Sequence, residues 1–275
     1  MRHAANKHPG TLFLLPMLLL FASAGADEWP DRSQFTAAGI DPVERAELAA
    51  RLAEVTLVDV RSELAWRSAH IKGAVHVAFD HPAFEQRIAE LAADRAGPLV
   101  FYCDDARCSE AWRAAGQAQA AGVADTGVYE AGLLDWADHH PDRLAPGGEP
   151  GGNGSAGRIP DPDRLAEHLL PPEDFSARVH QGNPLVLDLR ARNRGGEDSL
   201  FLGREQGVDP ANIERVIGLA RAAERDGRPV LIFDQDGREV RWLQPWLAEA
   251  GLSGYRFMEG GAERFFRDVL GDTSW

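Results

Sequence analysis

PLVFYCDDARCSEAWRAAGQAQAAG, residues 98–122, decides how this chain folds. The opening PLVFYC is a short apolar run behind a proline, which reads as a strand buried on both faces. The loop DDARCS follows, and then an amphipathic helix from Glu110 to Gly122. The same order returns in PVLIFDQDGREVRWLQPWLAEAG, residues 229–251. Placing Cys103 on Asp234 also places Arg107 on Arg238. With two residues fewer in the second helix, Gly122 falls on Gly251 and Glu130-Ala131-Gly132 on Glu259-Gly260-Gly261. A duplication accounts for these matches better than chance does.

Outward from the two copies, each half carries a strand ending in Asp-x-Arg: VTLVDVR with Asp59 and Arg61, and PLVLDLR with Asp188 and Arg190. These side chains are read as structural groups at the base of their loops, bonding backbone where a strand ends. DPVERAELAARL predicts a helix that Asp41 caps and Pro42 starts. His70 to Phe79 supplies a turn and a short strand, Pro82 to Ala93 a helix, DTGVYEAG the last strand of the half, and LLDWADHH comes after it. In the second half, PPEDFSARVHQG, ANIERVIGLARAAERDG and YRFMEGGAERFF complete the parallel. Apolar strands alternating with amphipathic helices imply an α/β fold: two domains, each a mostly parallel β-sheet flanked by helices.

A length of 275 residues favours about two domains. Residues 144–160, LAPGGEPGGNGSAGRIP, are dense in Gly and Pro and read as a linker between a domain at 27–143 and another at 161–275. Residues 1–26 differ from the rest: Arg2 and Lys7 precede TLFLLPMLLLFA and then the small residues ASAGA, the pattern of a secretory signal peptide cleaved near Ala26. The apolar run from Thr11 to Ala22 has 12 residues, too few for a membrane-crossing helix. A periplasmic or secreted protein is therefore expected, with no membrane association after cleavage. The formal net charge of -14 argues against nucleic acid and anionic lipid, both of which need clustered Lys and Arg.

Cys103 and Cys108 are the two cysteines of the chain. An oxidising compartment would let them pair across their loop, but so small a loop adds little stability, so they are read as chemical rather than structural. A cysteine at a strand end just before a helix sits near backbone N–H groups and the positive helix end, which favour a thiolate and an anionic ligand.

VDVRSELAWRSAHIKGAVHV, FYC with its loop and helix, and VYEAGLLDW together resemble the rhodanese (sulfurtransferase) family, in a tandem arrangement covering nearly all of the mature chain. The resemblance implies a small α/β domain whose strand delivers a cysteine into a tight loop, and a reaction that passes sulfane sulfur through a cysteine persulfide. It makes Cys103 the nucleophile, lined by Asp104, Asp105, Ala106, Arg107 and Ser109. Arg107 would steady an anion through its guanidinium fork, and Ser109 would cap the helix or donate to the bound sulfur. Two features depart from the family. The arginine usually found five residues after the cysteine is here Cys108, and the charges of Asp104 and Asp105 would raise the thiol pKa and repel thiosulfate. Cys108 is read as resolving a Cys103 persulfide to a disulfide with release of sulfide. Asp234 cannot form a stable persulfide, so the second domain is expected to be inactive and to shape the cleft.

No cofactor is implied, and no metal site: His139 and His140 are adjacent and point apart. His70 is read as packing at its turn, and Trp112 as lying near the active loop. The expected partner is a small sulfur donor or a protein thiol acceptor. Two other readings stand beside sulfurtransfer: a dithiol/disulfide redox protein, and a non-catalytic rhodanese-like binding module.

Overall fold

The computed structural model describes residues 32–95, 97–145, 157–190 and 199–271. In chain order the strands are β1 (Asp41–Pro42), β2 (Thr56–Asp59), β3 (His70–Ile71), β4 (Val75–His76), β5 (Leu99–Tyr102), β6 (Thr126–Tyr129) and β7 (Leu144–Ala145), followed by β8 (Leu169–Leu170), β9 (Leu185–Asp188), β10 (Glu205–Gly207), β11 (Val230–Phe233) and β12 (Tyr255–Met258). One sheet has the order β1-β6-β5-β2-β4 and the other β10-β9-β11-β12-β8, and every neighbouring pair is parallel. Read from β8, the second sheet takes its strands in the same first–fifth–fourth–second–third order as the first. The fold is thus two α/β units of one topology.

The central strands are buried along their whole length, as the apolar runs LVFY and VLIF require in a sheet covered on both faces. The two units are not loosely tethered. A single hydrophobic cluster contains Tyr102 and Trp136 of the first and Trp242 and Leu243 of the second. Much of the contact is made by the helix Arg238–Glu249. Its Trp246 donates Nε1–H to Ser68 Oγ at 2.8 Å, while Arg67 of the first unit donates to the Ala211 carbonyl at 2.6 Å.

Two expectations change. Asp41 and Pro42 do not begin a helix: they form β1 on the edge of the first sheet, Val43 donates to the Val128 carbonyl, and the helix starts at Arg45. Pairing with β6 outweighs the local capping signal, and an edge position tolerates proline. Second, Leu144–Ala145 is not linker but a strand, β7, antiparallel to β3. The far end of that stretch is also docked, with Arg158 N–H donating to the Ser68 carbonyl at 2.7 Å. β8 and β10, of two and three residues, are too short for any hydrophobic period to mark them in the sequence. The leader at 1–26 and the middle of the linker lie outside the described residues.

Candidate active site

β5 ends at Tyr102, and the loop from Cys103 to Ser109 leads into the helix Glu110–Ala120. Cys103 and Cys108 are both buried and joined by a disulfide, with Cα atoms 6.1 Å apart. The loop is braced by the first turn of the helix Gly132–His139: Leu133 and Leu134 N–H donate to the carbonyls of Cys103 and Asp104, each at 2.9 Å. That approach needs Gly132, whose φ is +74° and where a Cβ would stand 2.6 Å from the Asp104 carbonyl carbon.

The second unit repeats this bracing. Ala262 and Glu263 N–H reach the carbonyls of Asp234 and Gln235 at 2.9 Å, and Gly261 (φ +60°) makes the same close approach. Asp234 fills its own loop. One carboxylate oxygen accepts the Gly237 N–H at 2.8 Å and the other the Val240 N–H at 3.1 Å. Burial, and then the charge of Asp236, push its pKa up to about 7. The cradle that holds a cysteine in one domain is occupied by a carboxylate in the other.

Asp59 and Arg61 form a buried bidentate pair, with Arg61 Nε 2.9 Å from Oδ1 and Nη2 2.6 Å from Oδ2. Asp188 and Arg190 reproduce it at 2.9 and 2.7 Å. Arg61 then reaches into the cysteine loop, donating from Nη1 to Asp104 Oδ1 at 3.2 Å. Asp104 also accepts from the second domain: Trp242 Nε1–H at 2.8 Å and Arg241 Nη2 at 2.9 Å. Asp105 pairs with Arg107 and Arg241, each at 3.1 Å. The expectation that these two carboxylates repel an anionic donor therefore needs correction, because both charges are compensated by arginine and Asp104 is turned into the domain interface.

Arg107 is not poised over Cys103. Its side chain is 79% exposed and tied back to Asp105. Ala106 lies on the exposed turn beside it. Ser109 occupies the position that caps the helix, but its hydroxyl makes no capping bond. Trp112 is buried in the core, packed against Phe35 with ring centroids 5.8 Å apart. His70 stacks on Trp66 at 3.5 Å.

Two residues to which the sequence assigned no role, Glu110 and Arg238, lie against the sulfurs. Glu110 Oε2 lies 4.0 Å from Cys103 Sγ and 3.9 Å from Cys108 Sγ, and burial raises its pKa against the opposing pull of Arg238. Arg238, from the second domain, places Nη1 3.4 Å from Cys108 Sγ and Nη2 2.8 Å from Glu110 Oε1. The alignment of Arg107 with Arg238 was the available signal. Among the described residues, Cys103, Cys108 and Glu110 bring three donor atoms within 4.8 Å of one another. The sulfurs are bonded to each other, however, and the guanidinium already supplies a cation there, so no metal is assigned.

The two sulfurs open on different cavities. A cleft of about 830 Å3 between the domains is lined by Cys103, Ser62, His76, Arg190, Glu239 and Trp242. A hollow of about 560 Å3 is lined by Cys108, Arg107, Ser109, Glu110, Arg238 and Arg241. Glu239 has one oxygen, Oε2, buried without a hydrogen-bond partner, and burial pushes its pKa up to about 8.

Fold and loop together define a class: a two-domain α/β protein in which a parallel sheet ends one strand on a cysteine at a helix-opening loop. Residues 44–139 match the Rhodanese-like domain family. A segment of an HTH-type transcriptional regulator of Mycobacterium tuberculosis is 39% identical over 98 residues, covering 35% of this chain and 41% of that protein. The chain thus spans less than half the length of that curated relative. Among solved structures, a thiosulfate sulfurtransferase of Pseudomonas aeruginosa is similar at 19% identity and a TM-score of 0.35, covering 85% of this chain and 41% of that one. A 3-mercaptopyruvate sulfotransferase of Escherichia coli is similar at 16% identity and a TM-score of 0.33, covering 81% and 98%.

Proposed function

We propose that this protein is an exported sulfurtransferase that carries sulfane sulfur as a persulfide on Cys103 and is discharged by Cys108. The observation that carries the reading is the disulfide between the two cysteines within the loop of a rhodanese-like domain: either sulfur is within bonding reach of the other. In the first step the Cys103 thiolate attacks the outer sulfur of a small persulfide donor. A bond forms to that sulfur, and the donor leaves as its thiolate. The Cys108 thiolate then attacks Cys103 Sγ. The bond to the sulfane sulfur breaks, its electron pair departs with hydrosulfide, and the disulfide remains. The sulfane sulfur is reduced and the cysteine pair oxidised. An external dithiol, small or protein-borne, restores both thiols and becomes a disulfide itself. A thiol acceptor that reaches Cys103 first would take the sulfur directly.

Export is supported by the leader-like composition of residues 1–26 and by a disulfide, which persists in oxidising compartments. Among the described residues no helix is long and apolar enough to cross a membrane. The second domain serves as a wall of the cleft and a source of charged side chains.

Mass spectrometry of the reduced full chain after treatment with glutathione persulfide tests this. Wild type should pass through a form one sulfur heavier and end as the disulfide, whereas Cys108→Ser should keep the added sulfur on Cys103. If wild type retains the sulfur as well as Cys108→Ser does, the resolving role is wrong. If Cys108→Ser takes up none, transfer itself is wrong.

A further inference from the structure

We propose that Arg238, carried by the second domain, is a catalytic residue of the first: its guanidinium holds Cys108 as the thiolate that attacks Cys103 Sγ. The assignment rests on the resolving role given to Cys108 above. Its physical basis is a contact across the domain boundary, Arg238 Nη1 to Cys108 Sγ at 3.4 Å. A disulfide sulfur is a weak acceptor, but a thiolate at that distance would make a charge-assisted bond. The contact therefore gains most when the pair is reduced, and it favours Cys108 in particular.

The second domain is built to present this arginine. Asp234 satisfies its own loop and leaves Arg238 at the first turn of the helix, just after Gly237 in the left-handed conformation (φ +91°). Asp236 anchors the side chain from behind, accepting Arg238 Nε at 2.5 Å, which leaves the two terminal nitrogens to cross to the first domain. There they meet Cys108 and Glu110. A domain without a cysteine of its own thus supplies the cation that the first loop lacks, since Arg107 is turned to solvent.

The other charges facing Cys108 do not replace it. On its own loop, Asp104 and Asp105 are matched by Arg61, Arg107 and Arg241. On the helix that follows, Glu110 opposes the thiolate and Arg113 lines the hollow with its guanidinium 4.7 Å from the Phe79 ring centroid. From the second domain come Asp236, bound to Arg238, and Glu263, which accepts from Gln235. Arg238 is the cation in hydrogen-bond contact with the sulfur among the described residues.

The test is the pH dependence of iodoacetamide alkylation of Cys108 in Cys103→Ser, and of Cys103 in Cys108→Ser, both reduced and full length. In the Cys103→Ser background, Arg238→Gln should raise the Cys108 midpoint by about 1–3 pH units, Arg238→Lys should restore part of it, and Glu110→Gln should lower it. Cys103 should move less. In the otherwise wild-type protein, Arg238→Gln should shift the thiol–disulfide equilibrium with glutathione about tenfold or more toward the disulfide, because a stabilised thiolate is lost. An unchanged Cys108 midpoint in Arg238→Gln overturns the proposal. Should that variant fail to fold, a Glu110→Gln midpoint that stays put or rises overturns it equally. These midpoints are read without any sulfur donor, so a failure of sulfur uptake at Cys103 would remove the transfer reading and leave them standing.

Discussion

Asp104→Asn is the most informative single change in the scaffold. Asp104 accepts Arg61 and Trp242 on Oδ1, at 3.2 and 2.8 Å, and Arg241 on Oδ2 at 2.9 Å. An asparagine of the same shape keeps one acceptor and turns a donor toward the other side, so either Arg241 or the Arg61–Trp242 pair faces an NH2 group. A hydrogen bond between charged groups contributes about 1.5–3 kcal/mol, and breaking a buried pair from one side costs about 3–5 kcal/mol. Arg61 keeps Asp59 and Arg241 keeps Asp105, which limits the loss. The expected destabilisation is about 2–4 kcal/mol. At about 2–4 °C per kcal/mol for a chain of this size, Tm should fall by about 5–15 °C in calorimetry of the oxidised protein. If Asp104→Asn lies within about 0.5 kcal/mol of wild type, the carboxylate is not the tie between the domains.

Two further outcomes follow from the buried acids and the braced loops. Glu239 and Asp234 have folded-state pKa values raised to about 8 and about 7, above those of the unfolded chain. Their contribution is full below the unfolded value and is lost as pH rises through the folded one, so urea unfolding should show stability declining between about pH 5 and pH 8. Glu239→Gln should flatten that decline, because Oε2 has no partner to lose; a slope as steep as wild type contradicts the assignment. Gly132→Ala should cost well over the roughly 1 kcal/mol of an unhindered left-handed glycine, since its Cβ would meet Asp104 backbone at 2.6 Å. Gly122→Ala (φ +95°), with nothing within 4 Å, is the control, and equal costs in denaturant unfolding would show that the bracing contact is unimportant.

The strand–loop–helix at residues 98–122 and its partner at 229–251 were legible because buried parallel strands are written as uninterrupted apolar runs, and LVFY and VLIF are such runs. β1, β8 and β10 were not, since strands of two or three residues hold too few side chains for any period to show. Asp41–Pro42 carries helix-start chemistry yet pairs as an edge strand, a tertiary contact overriding a local signal. In the site, Cys103 and Cys108 stood out by residue type. Asp104 was read at face value as a negative charge in the loop, because nothing near it in sequence announces Arg241 and Trp242. Arg238 was visible only as a residue aligned with Arg107. Its contact with Cys108 exists because two domains dock along one helix, and docking geometry is not written in any local pattern.

The proposed function stands or falls on the discharge of a Cys103 persulfide by Cys108. A single turnover measures it most directly: reduced full-length protein mixed with an equal amount of glutathione persulfide, with sulfide trapped and the cysteine state read at the same times. Sulfide and the Cys103–Cys108 disulfide should appear together, in equal amounts and at one rate, and Cys108→Ser should release no sulfide while holding its sulfur. Sulfide released from Cys108→Ser at the wild-type rate, or disulfide formed with no sulfur first taken up by Cys103, would contradict it.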